Sequence, residues 1–204
     1  FVEPGNKQYY VIQDSIQMLL YTLEDLGHDV VFHKNKCDPK RINILVAAYR
    51  LGIETISTLI NEQYKYIIFQ SEVITHSGIN VYESHNAVFG VGNPKARDLY
   101  LLLLRNATMI WECFSFNQEY YTQLGIHSSI LYQGYVPGLQ GRDPKRKKDI
   151  DICFFGSYTE YRKDILNQFL AIGLKVKTLF LETPFYRNEV LRRSKINLAI
   201  PANN

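Results

Sequence analysis

The segment that most constrains the fold of this chain is residues 149–162. A short apolar run ends at Gly156, passes through small polar residues, and enters a segment whose apolar side chains recur at helical spacing. This pattern predicts a strand, a tight turn and a helix. Backbone N–H groups and the positive dipole end attract anions at a helix N-terminus. We therefore expect this turn to bind a phosphate.

Predicted strands and helices alternate along the whole chain, which is typical of an α/β protein with mainly parallel sheets. The first helix is expected to start with Asp14 as its N-cap and to stop at Gly27 in the C′ position. Further helices are predicted at 53–61, 96–105, 117–124, 161–172 and 185–193. Strands are predicted at 30–33, 42–47, 66–70, 108–111, 130–132, 151–155, 175–180 and 195–200.

A stretch rich in glycine, proline and charge divides the chain into two parts. We expect an N-terminal Rossmann-like domain at 1–133 and a linker at 134–148. Residues 149–204 are expected to form the first part of a second Rossmann-like domain. Three predicted strands are too few for a complete second domain, so this C-terminal unit is expected to be incomplete. The two units are expected to face each other across a cleft.

Charge and cysteine content limit the function classes. A net charge of +3 in 204 residues is too mild for a nucleic-acid-binding protein. The basic cluster from Arg142 to Lys148 is interpreted either as a solvated linker or as a surface for anionic lipid or phosphate. The second interpretation would place the protein peripherally at the inner face of the membrane.

Three widely spaced cysteines, Cys37, Cys113 and Cys153, show no metal-ligand spacing. They indicate a reducing compartment, and no metal or structural zinc is expected. The sequence contains no apolar run of membrane-spanning length, and no signal peptide is expected. A cytoplasmic location is therefore predicted.

Four short motifs resemble those of glycosyltransferases of the two-Rossmann (GT-B) type. They are residues 26–30 (L-G-H-x-V), residues 69–72 (F-Q-x-E), residues 132–137 (similar to a P-x-G-Y crossover), and residues 149–156 with Arg162 followed by 193–198. The chain is most similar to bacterial enzymes related to the spore-maturation CgeB-like proteins and group 1 glycosyltransferases. It departs from their pattern at Ala199, where an asparagine usually stands.

The resemblance implies a metal-independent transferase that needs no cofactor. Such an enzyme moves a sugar from a nucleotide-sugar donor to a glycan, a lipid-linked acceptor or a small-molecule acceptor. The resemblance assigns the acceptor side to residues 1–133 and donor binding to residues 149–204. Helix dipoles and basic side chains would stabilise the leaving diphosphate. The expected donor-binding residues are Gly156, Ser157, Tyr158, Arg162, Arg193 and Lys195. The structural alternative is that Arg162 is a solvated helix residue and that Lys195 caps a strand edge.

Acceptor activation requires a group that removes a proton from a hydroxyl. Glu72 and His76 follow a predicted strand at its carboxyl end, where open α/β sheets bind ligands. A carboxylate or an imidazole at that position can act as a general base. Glu112 follows the next predicted strand and is the third candidate.

Two other functions stay open on the sequence alone. One is a non-catalytic glycosyltransferase-like binding module, and the other is a different phosphate-ligand enzyme on a doubly wound fold. The sequence lacks a Walker A motif, a G-x-G-x-x-G after the first strand, and a G-x-S-x-G elbow. These absences disfavour kinase, dehydrogenase and hydrolase activities.

Overall fold

The computed structural model describes residues 9–34, 36–75, 78–79, 94–139 and 147–201. His76 and the first five residues of the basic cluster, 142–146, lie outside the described residues. The described chain divides into two compact units. Unit 1 contains residues 31–135, and unit 2 combines residues 9–30 with residues 136–201.

Helices and strands alternate in both units, with short 3₁₀ turns at Ala48–Arg50 and Pro137–Leu139. The helices are α1 (Tyr9–Asp25), α2 (Ile53–Asn61), α3 (Pro94–Arg105), α4 (Ser115–Gln123), α5 (Glu160–Ala171) and α6 (Pro184–Arg193). The strands are β1 (Asn43–Val46), β2 (Tyr66–Gln70), β3 (Ile74–Thr75), β4 (Gly78–Ile79), β5 (Met109–Glu112), β6 (Ser129–Ile130), β7 (Ile150–Phe155), β8 (Val176–Leu179) and β9 (Ser194–Leu198).

Unit 1 is built on a parallel sheet with the strand order β1-β2-β5-β6. Each strand lies beyond the preceding one, so right-handed crossovers place α2, α3 and α4 on one face of the sheet. Ile68 and Ile110 from the sheet pack with Leu103 of α3 in a single core under these helices. Burying an isoleucine or leucine side chain completely stabilises the fold by about 1.5–3 kcal/mol.

Unit 2 contains a three-stranded parallel sheet with the order β8-β7-β9. The central strand is buried on both faces. Cys153 packs with Val190 of α6, whereas Phe154 packs with Leu166 of α5. Side chains alternate between the two faces of a strand, so α5 and α6 cover opposite faces of this sheet. A centrally placed parallel strand explains the continuous apolar run of β7.

Helix α1 belongs to unit 2, where its Asp14 pairs with Arg187 of α6 at 2.7 Å between Oδ1 and Nη2. The prediction that Asp14 is an N-cap is wrong, because the helix already begins at Tyr9. The predicted stop is confirmed. Gly27 has φ = 84°, and the N–H groups of Gly27 and His28 donate to Glu24 O and Leu23 O in a Schellman motif.

The sequence predicted the α/β class and the parallel strands correctly. Helix α2 and strand β2 begin and end at the predicted residues. The predicted strand at 30–33 is wrong, because this run forms no strand in the structure. Its valines and phenylalanine favour extended backbone, but a strand forms only by joining a sheet, and no sheet of the described residues includes this run.

Candidate functional site

Unit 2 has a topological switch point at the carboxyl ends of its strands. After β7 the chain moves to one side and adds β8, and it then crosses to the other side to add β9. In open α/β sheets, ligands bind where the strand order reverses in this way. The loops that border the switch point are 156–159, after β7, and 199–201, after β9.

Packing explains why Gly156 is a glycine. A Cβ atom on this residue would lie 2.9 Å from Cζ of Phe154, whose ring is almost fully buried and therefore has little room to move. The N–H of Gly156 donates to Leu179 O at 2.9 Å and so extends the pairing of β7 with β8. This N–H group is consequently occupied by the sheet and does not point to a ligand.

Arg162, in the first turn of α5, joins the two loops at the switch point. Its Nη1 donates to Ser157 O at 3.0 Å and to Ser157 Oγ at 2.7 Å. Its Nη2 donates to Ile200 O at 2.9 Å, and its Nε lies 3.1 Å from both Ile200 O and Pro201 O. The guanidinium also stacks on the Phe154 ring, 5.3 Å from its centroid. Arg162 is therefore a structural clamp between the loops.

The partners of Arg162 are all neutral. They are carbonyl oxygens, one hydroxyl and one aromatic ring, and no carboxylate within the described ranges pairs with this guanidinium. The N-terminus of α5 lies beside it, capped by Thr159, whose Oγ1 accepts from Arg162 N at 3.3 Å. A full positive charge and the positive end of a helix dipole thus lie together at the switch point.

Tyr158 lies on the same loop and exposes 48% of its surface. Lys163 Nζ is 5.8 Å from the centroid of its ring and 2.5 Å from Glu160 Oε1. The loop after β7 therefore presents an aromatic ring to solvent, beside a lysine of α5. An exposed aromatic ring beside a cationic site can stack on a planar or sugar group.

The other two predicted donor-binding residues lie at the opposite end of this sheet. Arg193 ends α6 and Lys195 begins β9, whereas Gly156 follows the carboxyl end of the parallel strand β7. Four or five residues of strand span about 13–17 Å. The structure therefore does not bring Arg193 and Lys195 together with Ser157 and Arg162.

Both of these basic side chains form ion pairs with carboxylates. Arg193 binds Asp149 through both of its carboxylate oxygens, and hydrogen bonding by this guanidinium lowers the pKa of Asp149 to about 2. Lys195 Nζ lies 2.6 Å from Asp151 Oδ1, and this hydrogen bond lowers the pKa of Asp151. Both pairs are solvent-exposed ion pairs that join the amino ends of the strands.

The last residue of the basic cluster also has a structural role. Lys148 Nζ donates to Arg192 O at 2.7 Å and to Ser194 O at 2.9 Å, at the end of α6. A lysine in this position satisfies carbonyl groups that the helix leaves free and complements its negative dipole end.

In unit 1, polar groups gather at the carboxyl ends of β2 and β5. Gln70 and Glu112 are register partners on these adjacent strands, and both are almost completely buried. Asn117 of α4 is equally buried beside them. Buried amides and carboxyls are unfavourable unless they are hydrogen-bonded, so their concentration at one edge of the sheet requires an explanation.

Glu72, the first candidate base, is partly exposed and follows β2. Its Oε1 accepts from the hydroxyl of Tyr49 at 3.2 Å. Burial, followed by the charge of Glu72, raises the pKa of Tyr49. Tyr49 therefore acts as a hydrogen-bond donor to the carboxylate. His76, the other predicted base, lies outside the described residues.

Glu112 is held at the N-terminus of α4. Its Oε1 accepts from Phe114 N at 2.9 Å. Phe114 is the N-cap residue of α4 and its own side chain cannot cap the helix, so Glu112 takes that role. Burial raises the pKa of Glu112, and the hydrogen bond from the Phe114 N–H opposes this effect. Oε2 of Glu112 and the hydroxyl of Tyr121 are buried without a partner of good geometry in the described part of the chain.

Sequence reasoning missed most of this polar group. The sequence singles out Gln70 only as part of the F-Q-x-E motif, and it gives no signal for Tyr49 or Asn117. Their positions depend on which helix crosses over which strand, and pairs such as Asn117 and Glu72 are 45 residues apart. The only available signal was a polar residue at the end of each of two buried strands.

Within the described ranges, no group of three or more His, Cys, Asp or Glu side chains could hold a metal ion. Cys37, Cys113 and Cys153 are free thiols, and burial raises the pKa of each. None of the helices in the described part of the chain combines the length and apolarity that crossing a bilayer demands.

The sequence matches no protein-family model and no curated protein.

Proposed function

We propose that this protein is a metal-independent glycosyltransferase of the GT-B type that uses a nucleotide-sugar donor. The observation that carries this proposal is the charge at the switch point of unit 2. Arg162 is a cation that no described carboxylate neutralises, and it lies at the N-terminus of α5 on the edge of the sheet where α/β proteins bind ligands. A diphosphate is negatively charged and would neutralise this cation.

The donor site that we propose differs from the set of residues expected from the sequence. The Arg162 fork is largely occupied by Ser157, Ile200 and Pro201, so it would act on the diphosphate mainly through its charge and by holding both loops in place. The direct contacts would come from the first turn of α5, where the leading N–H groups of a helix lack intrahelical partners. Tyr158 would pack against the ribose or the sugar.

The paired residues Arg193 and Lys195 have no part in this modified site. Their charges are neutralised by Asp149 and Asp151 at the opposite end of the strands. Removing either of them should therefore leave donor affinity unchanged.

Glu72 is the group that we propose as the general base of the transfer. It is partly exposed at the carboxyl edge of unit 1, and the Tyr49 hydroxyl orients its carboxylate. Glu112 is a weaker candidate, because its carboxyl is buried and caps α4. The GT-B arrangement of the two units is part of this proposal.

A thermal-shift panel tests the donor site directly. The probes are UDP, GDP, UDP-glucose and GDP-mannose, with adenosine and inorganic sulfate as controls for base and anion alone. At a ligand concentration of about 100 times Kd, binding to the folded state stabilises the protein by about 2.7 kcal/mol. We expect Lys195→Ala to keep the full shift, because its partner Asp151 lies at the other end of the strand.

The comparison that decides the site uses Arg162→Lys. Lysine keeps the positive charge but loses the planar fork, so the loops should loosen and nucleotide affinity should fall. A nucleotide shift that is unchanged in Arg162→Lys and lost in Lys195→Ala would contradict this location. A wild-type shift without sugar transfer to any acceptor would favour the non-catalytic binding module.

A further inference from the structure

Buried amide side chains bind the backbone of the segment that carries Glu72. Asn117 of α4 makes two hydrogen bonds to it. Its Nδ2 donates to Glu72 O at 2.9 Å, and its Oδ1 accepts from Ile74 N at 2.9 Å. Asn117 has no exposed surface and lies more than forty residues from both partners in sequence. One side chain therefore binds both ends of the segment from Glu72 to Ile74.

A second amide reaches the same carbonyl oxygen. Gln70 Nε2 donates to Glu72 O at 2.9 Å, and Gln70 Oε1 accepts from the hydroxyl of Tyr100 at 2.5 Å. The Tyr100 hydroxyl keeps its proton, because burial and the nearby carboxylates raise its pKa, and it donates that proton to Gln70 Oε1, which can only accept. Tyr100 thus fixes the orientation of the Gln70 amide, which leaves Nε2 to face Glu72.

We propose that Asn117 and Gln70 are positioning residues for Glu72, and that Tyr100 acts through Gln70. The inference rests on the proposed function, because a fixed position of Glu72 matters for catalysis only if Glu72 is the general base. Two amide side chains, Gln70 of β2 and Asn117 of α4, bind the backbone carbonyl of the residue that carries this partly exposed carboxylate, and Tyr100 of α3 binds Gln70. Preorganisation of this kind removes the cost of orienting a base at the moment of reaction.

A purely structural role would make a different prediction. Asn117 and Gln70 would then stabilise the whole unit, and their loss would affect the segment at 72–74 no more than the rest of the core. The chain offers a matched control for this difference. The buried hydroxyl of Tyr66 donates to Leu103 O at 2.9 Å in the same core, at the far end of the same strand from Glu72.

The experiment compares Tyr100→Phe with Tyr66→Phe in the full chain, and adds Asn117→Leu as the larger perturbation. Hydrogen exchange measured by mass spectrometry reports on the Ile74 amide and its neighbours. We expect exchange in this segment to accelerate by about 2- to 10-fold in Tyr100→Phe, the range expected for losing one hydrogen bond, and by more in Asn117→Leu. Tyr66→Phe should leave it unchanged.

The second readout is transfer from UDP-glucose or GDP-mannose, whichever stabilises the wild-type chain. In Tyr100→Phe we expect kcat to fall by about 10- to 100-fold while KM for the donor stays within about twofold, because only the base is displaced. Tyr66→Phe should change neither constant. Equal exchange rates at Ile74 in Tyr100→Phe, Asn117→Leu and Tyr66→Phe would overturn the inference.

Faster exchange at Ile74 with unchanged kcat in Tyr100→Phe would also overturn it, because positioning would then have no catalytic consequence. Failure of the proposed function is recognised separately. In that case the wild-type chain itself shows neither a nucleotide shift nor transfer, and the exchange rates alone decide whether Asn117 and Gln70 hold the Glu72 segment.

Discussion

Carboxyl groups have opposite environments in the two units. In unit 1, Glu112 is buried at the carboxyl end of a strand, no cation pairs with it among the described residues, and burial raises its pKa. In unit 2, Asp149 and Asp151 lie at the amino ends of the strands, where Arg193 and Lys195 lower the pKa of each. The same chemical group is therefore unneutralised at one edge and paired at the other.

This difference separates charges that support the fold from charges that are available to a ligand. Exposed ion pairs at the amino ends contribute little to stability and leave no net charge. At the carboxyl ends, Arg162 pairs with no carboxylate of the described residues and Glu72 is partly exposed, and open α/β sheets bind ligands at that edge. The comparison predicts large effects at the carboxyl ends and small effects at the amino ends.

The largest effect is expected at Glu72. If its carboxylate is the base, Glu72→Gln should lower turnover by about 10²–10⁴-fold while donor-induced stabilisation is retained. Steady-state transfer kinetics beside the thermal-shift assay measure both quantities. If His76→Ala abolishes transfer and Glu72→Gln does not, the base is the histidine, and the role given to Glu72 in this comparison is wrong.

Arg162→Ala should have the next largest effect. The substitution leaves the carbonyl groups of Ser157 and Ile200 without their charged donor, and we expect it to lower the free energy of unfolding by about 2–3 kcal/mol. Urea denaturation measures this change. Arg162→Lys should recover the charge but only part of the stability, because lysine cannot donate to both loops at once.

A loss below about 0.5 kcal/mol in Arg162→Ala would mean that the loops do not depend on the clamp. Arg162 would then resemble the solvated helix residue that the sequence left open as an alternative.

Local patterns could be predicted from the sequence, whereas contacts distant in the chain could not. The strand–turn–helix at 149–162 was correct because periodicity and a capping residue are local features. The pairing of Arg193 with Asp149, 44 residues apart, depends on β9 lying beside β7. Strand order is fixed by packing across the sheet, and no local pattern reports it.

The same limit applies to the candidate sites. Glu72 could be selected because it follows a strand, and its position at the sheet edge needed only that fact. The amides behind it could not be selected, because α3 and α4 bring them there across the sheet. For Gly156, the sequence indicated a glycine at the turn, but its reason is the packing of the Phe154 ring.

The third prediction concerns the pH dependence of unit 1. Because the folded-state pKa of Glu112 is raised above its ordinary value of 4.5, its contribution to stability is fully present below about pH 4.5. That contribution is lost as the pH rises through the folded-state pKa. Glu112→Gln removes this titration while keeping an oxygen for Phe114 N–H. The variant should therefore gain stability relative to wild type as the pH rises, by at most about 1.4 kcal/mol per pH unit.

Urea denaturation of both proteins between pH 4 and pH 8 measures this difference. A constant difference across that range would show that Glu112 titrates normally and that its burial has no electrostatic cost. The contrast between the carboxyl groups of the two units would then be lost.

The smallest effect is expected at the amino-end pair of Asp149 and Arg193. The pKa of Asp149 is lowered from 3.8 to about 2, so its contribution to stability is present above about pH 4 and is lost as the pH falls towards 2. Asp149→Asn should therefore differ from wild type only above this window, and 1 M salt should reduce the difference because the pair is exposed. Nucleotide-induced stabilisation should be the same in both proteins. A fall in nucleotide affinity in Asp149→Asn would place the amino ends of the strands in the ligand site and reverse the assignment of the two edges.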